Sequence, residues 1–140
     1  MPESITLRYT VPGDDFTRAG EASADVKRNL KLMGVPAAAI RKAAIALYEG
    51  EINLAIHAHG GDITVTLSPD TITMLLQDQG PGIPDIGLAM SEGWSTAPDE
   101  VRSLGFGAGM GLPNMKKYSD RFDIQSAVGV GTTIRMEVDL

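Results

Sequence analysis

Ile5, Leu7, Tyr9 and Val11 alternate with Thr6, Arg8 and Thr10, the period-two pattern of a strand with one buried face. Pro12-Gly13 ends it, and Asp14 or Asp15 can cap a helix in which Phe16, Ala19, Ser23, Val26, Leu30 and Met33 recur at helical spacing. Gly34 reads as the end of that helix and Pro36 as the start of another, which runs on strong helix formers to about His59 with Ile40, Ala44, Leu47 and Ala55 inward. Two strands follow around a Ser68-Pro69-Asp70 turn, with Ile63, Val65 and Leu67 and then Ile72, Met74 and Leu76 facing the core. Leu112 to Tyr118 predicts a short helix. Phe122 and Ile124 mark a short strand, and Thr132, Ile134, Met136, Val138 and Leu140 form the inward row of the last one. The pattern predicts a single domain over residues 1–140 that combines helices with five strands.

Polar residues interrupt this pattern at informative places. Glu49, Asn53 and His57 stand four residues apart and share one face of the second helix, either as a solvated stripe or as a site. Asp78 is in phase with the inward row of its strand, where an unpaired carboxylate costs several kcal/mol, so it needs a partner unless it caps a turn. Thr132 is likewise polar on an inward row. Gly50 costs about 1 kcal/mol in mid-helix, so it either admits a close neighbour or is tolerated. Glu51 lies near the apolar stripe of Leu47 and Leu54 and either borders it or faces a partner or an arginine, a choice the sequence leaves open.

Between Asp78 and the last helix runs a Gly-, Ser- and Pro-rich connection of about twenty-five residues, longer than ordinary loops and typical of lids or disorder. It closes in Gly105-Phe-Gly-Ala-Gly-Met-Gly-Leu112, where glycine at every second position lets backbone amides turn toward an anion and the next helix starts at the same place; a flexible hinge is the alternative. The composition narrows the chemistry. There is no cysteine, so disulfides, thiol catalysis and thiolate metal sites are excluded. The net charge of −6 argues against a nucleic-acid partner, which requires a basic face. Met1 leads into a polar, strand-like segment rather than an apolar signal core, so a cytoplasmic protein without a membrane partner is expected. The glycines fit neither a G-x-G-x-x-G fingerprint nor a P-loop, and His57 and His59 face opposite sides of a helix and cannot chelate one zinc ion. No nucleophile elbow supports Ser-His-Asp catalysis.

Taken together, these stretches resemble the GHKL, or Bergerat-fold, ATPase superfamily over nearly the whole chain. Glu49 to Asn53 matches the N box, Asp78-x-Gly80-x-Gly82 the first glycine box, Gly107-x-Gly109-x-Gly111-Leu112 the second and Gly131-Thr132-Thr133 the third. No single box is specific; all four in order are. The Glu49-x-x-x-Asn53-x-x-x-His57 helix, Trp94-Ser-Thr96 and Gly111-Leu-Pro113 are similar to the bacterial anti-sigma-factor and stressosome switch-kinase branch. The resemblance implies an α/β two-layer sandwich with a mixed, largely antiparallel five-stranded sheet and helices on one face, ATP and Mg2+ as cofactors, and a serine/threonine-protein kinase acting on a STAS-type antagonist protein, with a sigma factor or other regulator and a homodimer as further possible associations. Its rival is an ATP-gated binding module without significant phosphotransfer. The resemblance further implies Glu49 as catalytic base, Asn53 as the Mg ligand, and ATP binding by Asn53, Asp78, Gly80, Gly82, Gly107, Gly109, Gly111, Leu112 and Thr132. Asp78 and Thr132 take the adenine, Gly82 lets the backbone approach the base, Gly107, Gly109 and Gly111 cradle the phosphates, about 83–108 is the ATP lid, and His57 is either structural or a phosphate contact. Lys116 and Lys117 are read as surface charges.

Overall fold

The computed structural model describes residues 4–12, 19–56, 60–79 and 111–140. The described elements are β1 (Ile5–Pro12), α1 (Glu21–Leu32), α2 (Ala37–Ile56), β2 (Gly60–Leu67), β3 (Thr71–Gln77), α3 (Gly111–Lys117), β4 (Arg121–Ala127) and β5 (Gly131–Asp139). The strands form one sheet in the order β1-β2-β3-β5-β4. Every neighbouring pair is antiparallel, so the sheet expected to be mixed and largely antiparallel has no parallel pairing among the described residues.

The register turns the alternation of each strand into continuous rows across the sheet. Val65, Met74, Met136 and Phe122 lie side by side, and the next inward row is Ile63, Leu76, Ile134 and Ile124. Ile63, Val65, Met74, Leu76, Ile134 and Met136 are almost fully buried under Val26 and Leu30 of α1 and Ala43, Leu47 and Leu54 of α2. The opposite face carries Thr64, Thr73, Arg135 and Asp123 and is open to solvent in part, as a one-sided antiparallel sheet requires.

Two local devices set the helices. Met33, Gly34 and Val35 end α1 in a Schellman turn: the Val35 amide donates to the Leu30 carbonyl and the Gly34 amide to Lys31, with Gly34 at φ 77° as the predicted terminator. The start of α1 differs from expectation. Gly20, at φ 105°, is its N-cap and has no side chain with which to cap it, while Asp14, Asp15 and Phe16 lie outside the described residues. The cap comes from α2 instead. Glu51, 2% exposed, accepts hydrogen bonds through one carboxylate oxygen from the Gly20 amide at 2.9 Å and the Ala22 amide at 3.1 Å. Its other oxygen accepts from the Ser23 amide at 2.8 Å and the Ser23 hydroxyl at 2.6 Å. Glu51 therefore faces neither an arginine nor a partner protein; it satisfies the orphan donors of the α1 N-terminus and meets the positive end of that helix.

β1 is fixed to the same helix. The Tyr9 hydroxyl donates to Asp25 at 2.5 Å, and Asp25 also binds Asn29 and Arg28. Burial first, and then the bond to Asp25, push the Tyr9 phenol far above its ordinary range and keep it a neutral donor. At the opposite edge, Lys42 of α2 pairs with Asp120 at 2.6 Å, and Arg121 binds both Glu137 and Asp139 of β5.

Glu51→Ala leaves four donors without their acceptor and is expected to cost about 3 kcal/mol of unfolding free energy, with Glu51→Gln losing less. Urea unfolding followed by circular dichroism measures this; a loss under about 0.5 kcal/mol for the alanine variant contradicts the clamp. Gly50→Ala, which in an exposed helix gains about 1 kcal/mol, is expected to lose about that much here. The reason is steric: a Cβ on Gly50 sits 2.4 Å from Leu76 Cδ2, and Leu76 is 1% exposed with no space to retreat. The same unfolding experiment decides the sign.

Candidate functional site

The inner face of the sheet changes character at one end. Beyond the apolar row of Leu76, Ile134 and Ile124, the next positions inward are Asp78, Thr132 and Ser126. Asp78 follows the last residue of β3 and extends the β3–β5 ladder: its amide donates to the Thr132 carbonyl at 3.0 Å, and its Oδ1 accepts from the Thr132 amide at 3.2 Å. That return bond is a partner for the carboxylate, the need for which is visible in the inward phase of Asp78. Thr132 is 5% exposed, and its Oγ1 lies 2.8 Å from Ser126 Oγ.

Two glycines make room for the Asp78 backbone. Gly131 adopts φ 142°, and a Cβ there falls 2.2 Å from the Asp78 carbonyl oxygen. On the other side a Cβ on Gly61 falls 2.4 Å from the Gln77 carbonyl oxygen and 3.2 Å from Asp78 Cβ. The two carbonyl contacts are with backbone, which cannot swing aside as a side chain does. Gly131 heads the third glycine box; Gly61 lies outside every box, and no spacing rule marks it.

α2 is brought down onto this end of the sheet. Gly50 lets Leu76 Cδ2 approach the helix axis, with Met115 Sδ of α3 next to it, and Leu54 Cδ2 reaches the space in front of Gly61 and Asp78. Gly50 thus admits a close neighbour. With Leu47, Gly50, Glu51, Leu54 and Ala55 buried, Glu49 and Asn53 fall at the partly exposed flank of α2, one turn apart. Asn114 of α3 extends its amide toward Glu49 Oε1 at 3.5 Å, a long contact that puts the start of α3 beside the carboxylate.

Gly111 begins α3, and Leu112 is buried against the core. Lys116 and Lys117 are exposed, as surface charges should be. Glu49 and Asn53 thus stand on α2, Asp78 at the end of β3, Gly111 and Leu112 on α3 and Thr132 on β5; Glu49 meets α3 through Asn114, and Asp78 pairs with Thr132. His57, Gly80, Gly82, Gly107, Gly109 and the 83–108 connection lie outside the described residues. Asn114 and Ser126 escape sequence reasoning. The signal for Ser126 is present, because it stands in phase with Phe122 and Ile124, but the strand has to be carried past its last apolar residue to reach it.

Among the described residues no group of three or more His, Asp or Glu side chains could hold a metal ion. The Asn53 amide oxygen is a hard donor of the kind magnesium takes, and an ion held there would draw its remaining ligands from phosphates and water. No helix of the described residues is long and apolar enough to cross a membrane.

Comparison with known proteins agrees with the architecture. The chain is 35% identical over 94 residues to the serine/threonine-protein kinase RsbT of Bacillus subtilis (strain 168), covering 64% of this chain and 65% of that protein. It is also 35% identical over 96 residues to an anti-sigma F factor of Thermoanaerobacter sp. (strain X514), covering 65% of this chain and 64% of that one. The chain thus spans just under two thirds of the length of these relatives. Among solved structures, a mycobacterial sensor histidine kinase, MprB, superposes with a TM-score of 0.54 at 17% identity, covering 96% of this chain and 97% of that chain, a likeness of fold. Residues 46–140, from the middle of α2 through β5, match the histidine kinase-, DNA gyrase B-, and HSP90-like ATPases, and the chain belongs to that family.

Proposed function

We propose that this chain binds ATP with magnesium and transfers the γ-phosphoryl group to a serine or threonine hydroxyl of a STAS-type antagonist protein in a bacterial regulatory switch. The observation that carries this reading is the joining of two polar sets on one packed frame: the Asp78–Thr132 pair at the end of the sheet, and Glu49 with Asn53 on the helix that packs over it. The name of the RsbT relative supports the kinase class.

Asp78 presents an acceptor to the exocyclic amino group of adenine, with the Thr132 hydroxyl beside it. The glycines of the second box, which ends at Gly111, face the phosphates, and Leu112 closes against the core behind them. Asn53 supplies an amide oxygen to magnesium, which offsets charge on the phosphates when it is bound. Glu49 accepts the proton of the incoming hydroxyl as its oxygen bonds to the γ-phosphorus and the bond to the bridging oxygen breaks, leaving ADP. Most of the acceleration in such transfers is positioning, and here the base stands on a helix anchored at Gly50 and Glu51. The antagonist, a cytoplasmic location, a sigma factor as a further partner and a homodimer belong to the same reading.

The second reading is an ATP-gated binding module, favoured by the equal identity to an anti-sigma F factor. The two part at Glu49, since gated binding needs no base.

Glu49→Ala is expected to lower phosphotransfer at least 100-fold while ATP affinity stays within about two-fold, read by the intact mass of a STAS-domain protein incubated with the chain, magnesium and ATP. Retained transfer removes Glu49 from the base role, and no phosphate gain with the wild-type chain in the presence of ATP binding selects the gated module. Asp78→Ala is expected to weaken ATP at least ten-fold by calorimetric titration, the loss of one charged hydrogen bond. An unchanged affinity refutes the adenine role.

A further inference from the structure

The polar row at the end of the sheet has three members, and the nucleotide reading uses two of them. Ser126 is the third. It is paired with Thr132 across β4 and β5, on the inward face and half-buried. Its Oγ lies 2.8 Å from Thr132 Oγ1 and 3.3 Å from the Gly131 carbonyl oxygen. A carbonyl oxygen only accepts, and a hydroxyl has one proton with two lone pairs. Either hydroxyl of the pair can be the donor; the orientation that places the Ser126 proton on the Gly131 carbonyl makes Thr132 the donor to Ser126 and keeps the Thr132 lone pairs for what lies beside Asp78. The β-branch of Thr132 restricts its χ1 rotation, so the hydroxyl rotor is the freedom that Ser126 removes.

The consequence is chemical. Asp78 contributes acceptors and Thr132, so held, contributes another. A surface of acceptors complements an amino group at position 6 of a purine and opposes a 6-oxo oxygen, whose lone pairs meet the carboxylate and the hydroxyl oxygen. We propose that Ser126 is a specificity-determining positioning residue, which fixes the direction of the Thr132 hydroxyl so that the site takes 6-aminopurine over 6-oxopurine nucleotides. The proposal rests on the reading of Asp78 and Thr132 as base-binding residues.

Ser126→Ala frees the rotor while keeping the Asp78 and Thr132 side chains. The Thr132 proton can then turn toward a 6-oxo oxygen, so the variant should lose discrimination rather than binding in general. The test is calorimetric titration of the wild-type chain and of S126A with ATP, with inosine triphosphate and with purine riboside triphosphate, which has no group at position 6. Circular dichroism establishes that the variant is folded. The expected result is ATP affinity about five-fold weaker in S126A, the equivalent of one neutral hydrogen bond, with inosine triphosphate unchanged or tighter and purine riboside triphosphate unchanged. Ser126→Thr, which keeps the hydroxyl on a strand-compatible side chain, should restore the wild-type preference. An unchanged ratio of ATP to inosine triphosphate affinity, or an equal loss for all three nucleotides, overturns the proposal and leaves Ser126 a structural residue. Failure of the wild-type chain to bind ATP at all overturns the nucleotide reading itself, a result distinct from either.

Discussion

A carboxylate inside an apolar interface is tolerable only when donors surround it, and Glu51 makes that condition the hinge of the helical layer. Its four donors come from Gly20, Ala22 and Ser23, so α1 and α2 cannot dock except in the register that pairs them. The same docking closes Val26 and Leu30 over the sheet, and Tyr9 ties β1 to Asp25 on the following turn of α1. The apolar contacts supply most of the free energy, but they are directionless. The carboxylate supplies the geometry.

With α1 and α2 placed, glycine sets how closely α2 meets the strands. Leu76 fills the notch at Gly50, and the backbone near Asp78 fills those at Gly61 and Gly131. Side chains at these positions would force the elements about 1 Å apart, at Gly61 and Gly131 between neighbouring strands and at Gly50 between α2 and the sheet. Such a gap would separate the α2 carboxylate and amide from the polar end of the sheet. The cost of glycine in a helix interior, about 1 kcal/mol, is offset by contacts that no other residue permits.

Much of this was legible in the chain. Alternation located the strands and which residues they turn inward, and the inward phase of Asp78 and Thr132 announced a polar end to the core because a period of two leaves no freedom about which face a side chain takes. The order of the four boxes announced the family. Other features left no trace, for reasons that are physical. The partners of Glu51 are mostly backbone amides 28 to 31 residues away, and an amide has no letter of its own. The start of α1 at Gly20 depends on that distant carboxylate, whereas Asp14 and Asp15 carry the local signature of a cap. β4 runs to Ala127, yet Gln125, Ser126 and Ala127 offer no apolar beat, so its polar end is held by pairing with β5 rather than by composition. The resemblance led to the expectation of a mixed sheet; only the pairings show that each neighbour runs antiparallel.

Glu49 and Glu51 stand two residues apart on one helix and illustrate how environment divides the work of identical groups. Two positions on a helix are about 200° apart, so one carboxylate enters the interface with α1 while the other reaches the flank beside α3. Glu51 has its oxygens committed to four donors, which occupy the lone pairs a carboxylate offers. Glu49 is partly exposed and, among the described residues, meets one amide at 3.5 Å. Its lone pairs are available and the Asn114 contact is weak enough to yield to a hydroxyl approaching from solvent. Of the two carboxylates the proposed base role therefore fits Glu49, and exchanging the two places would need α1 to be undocked.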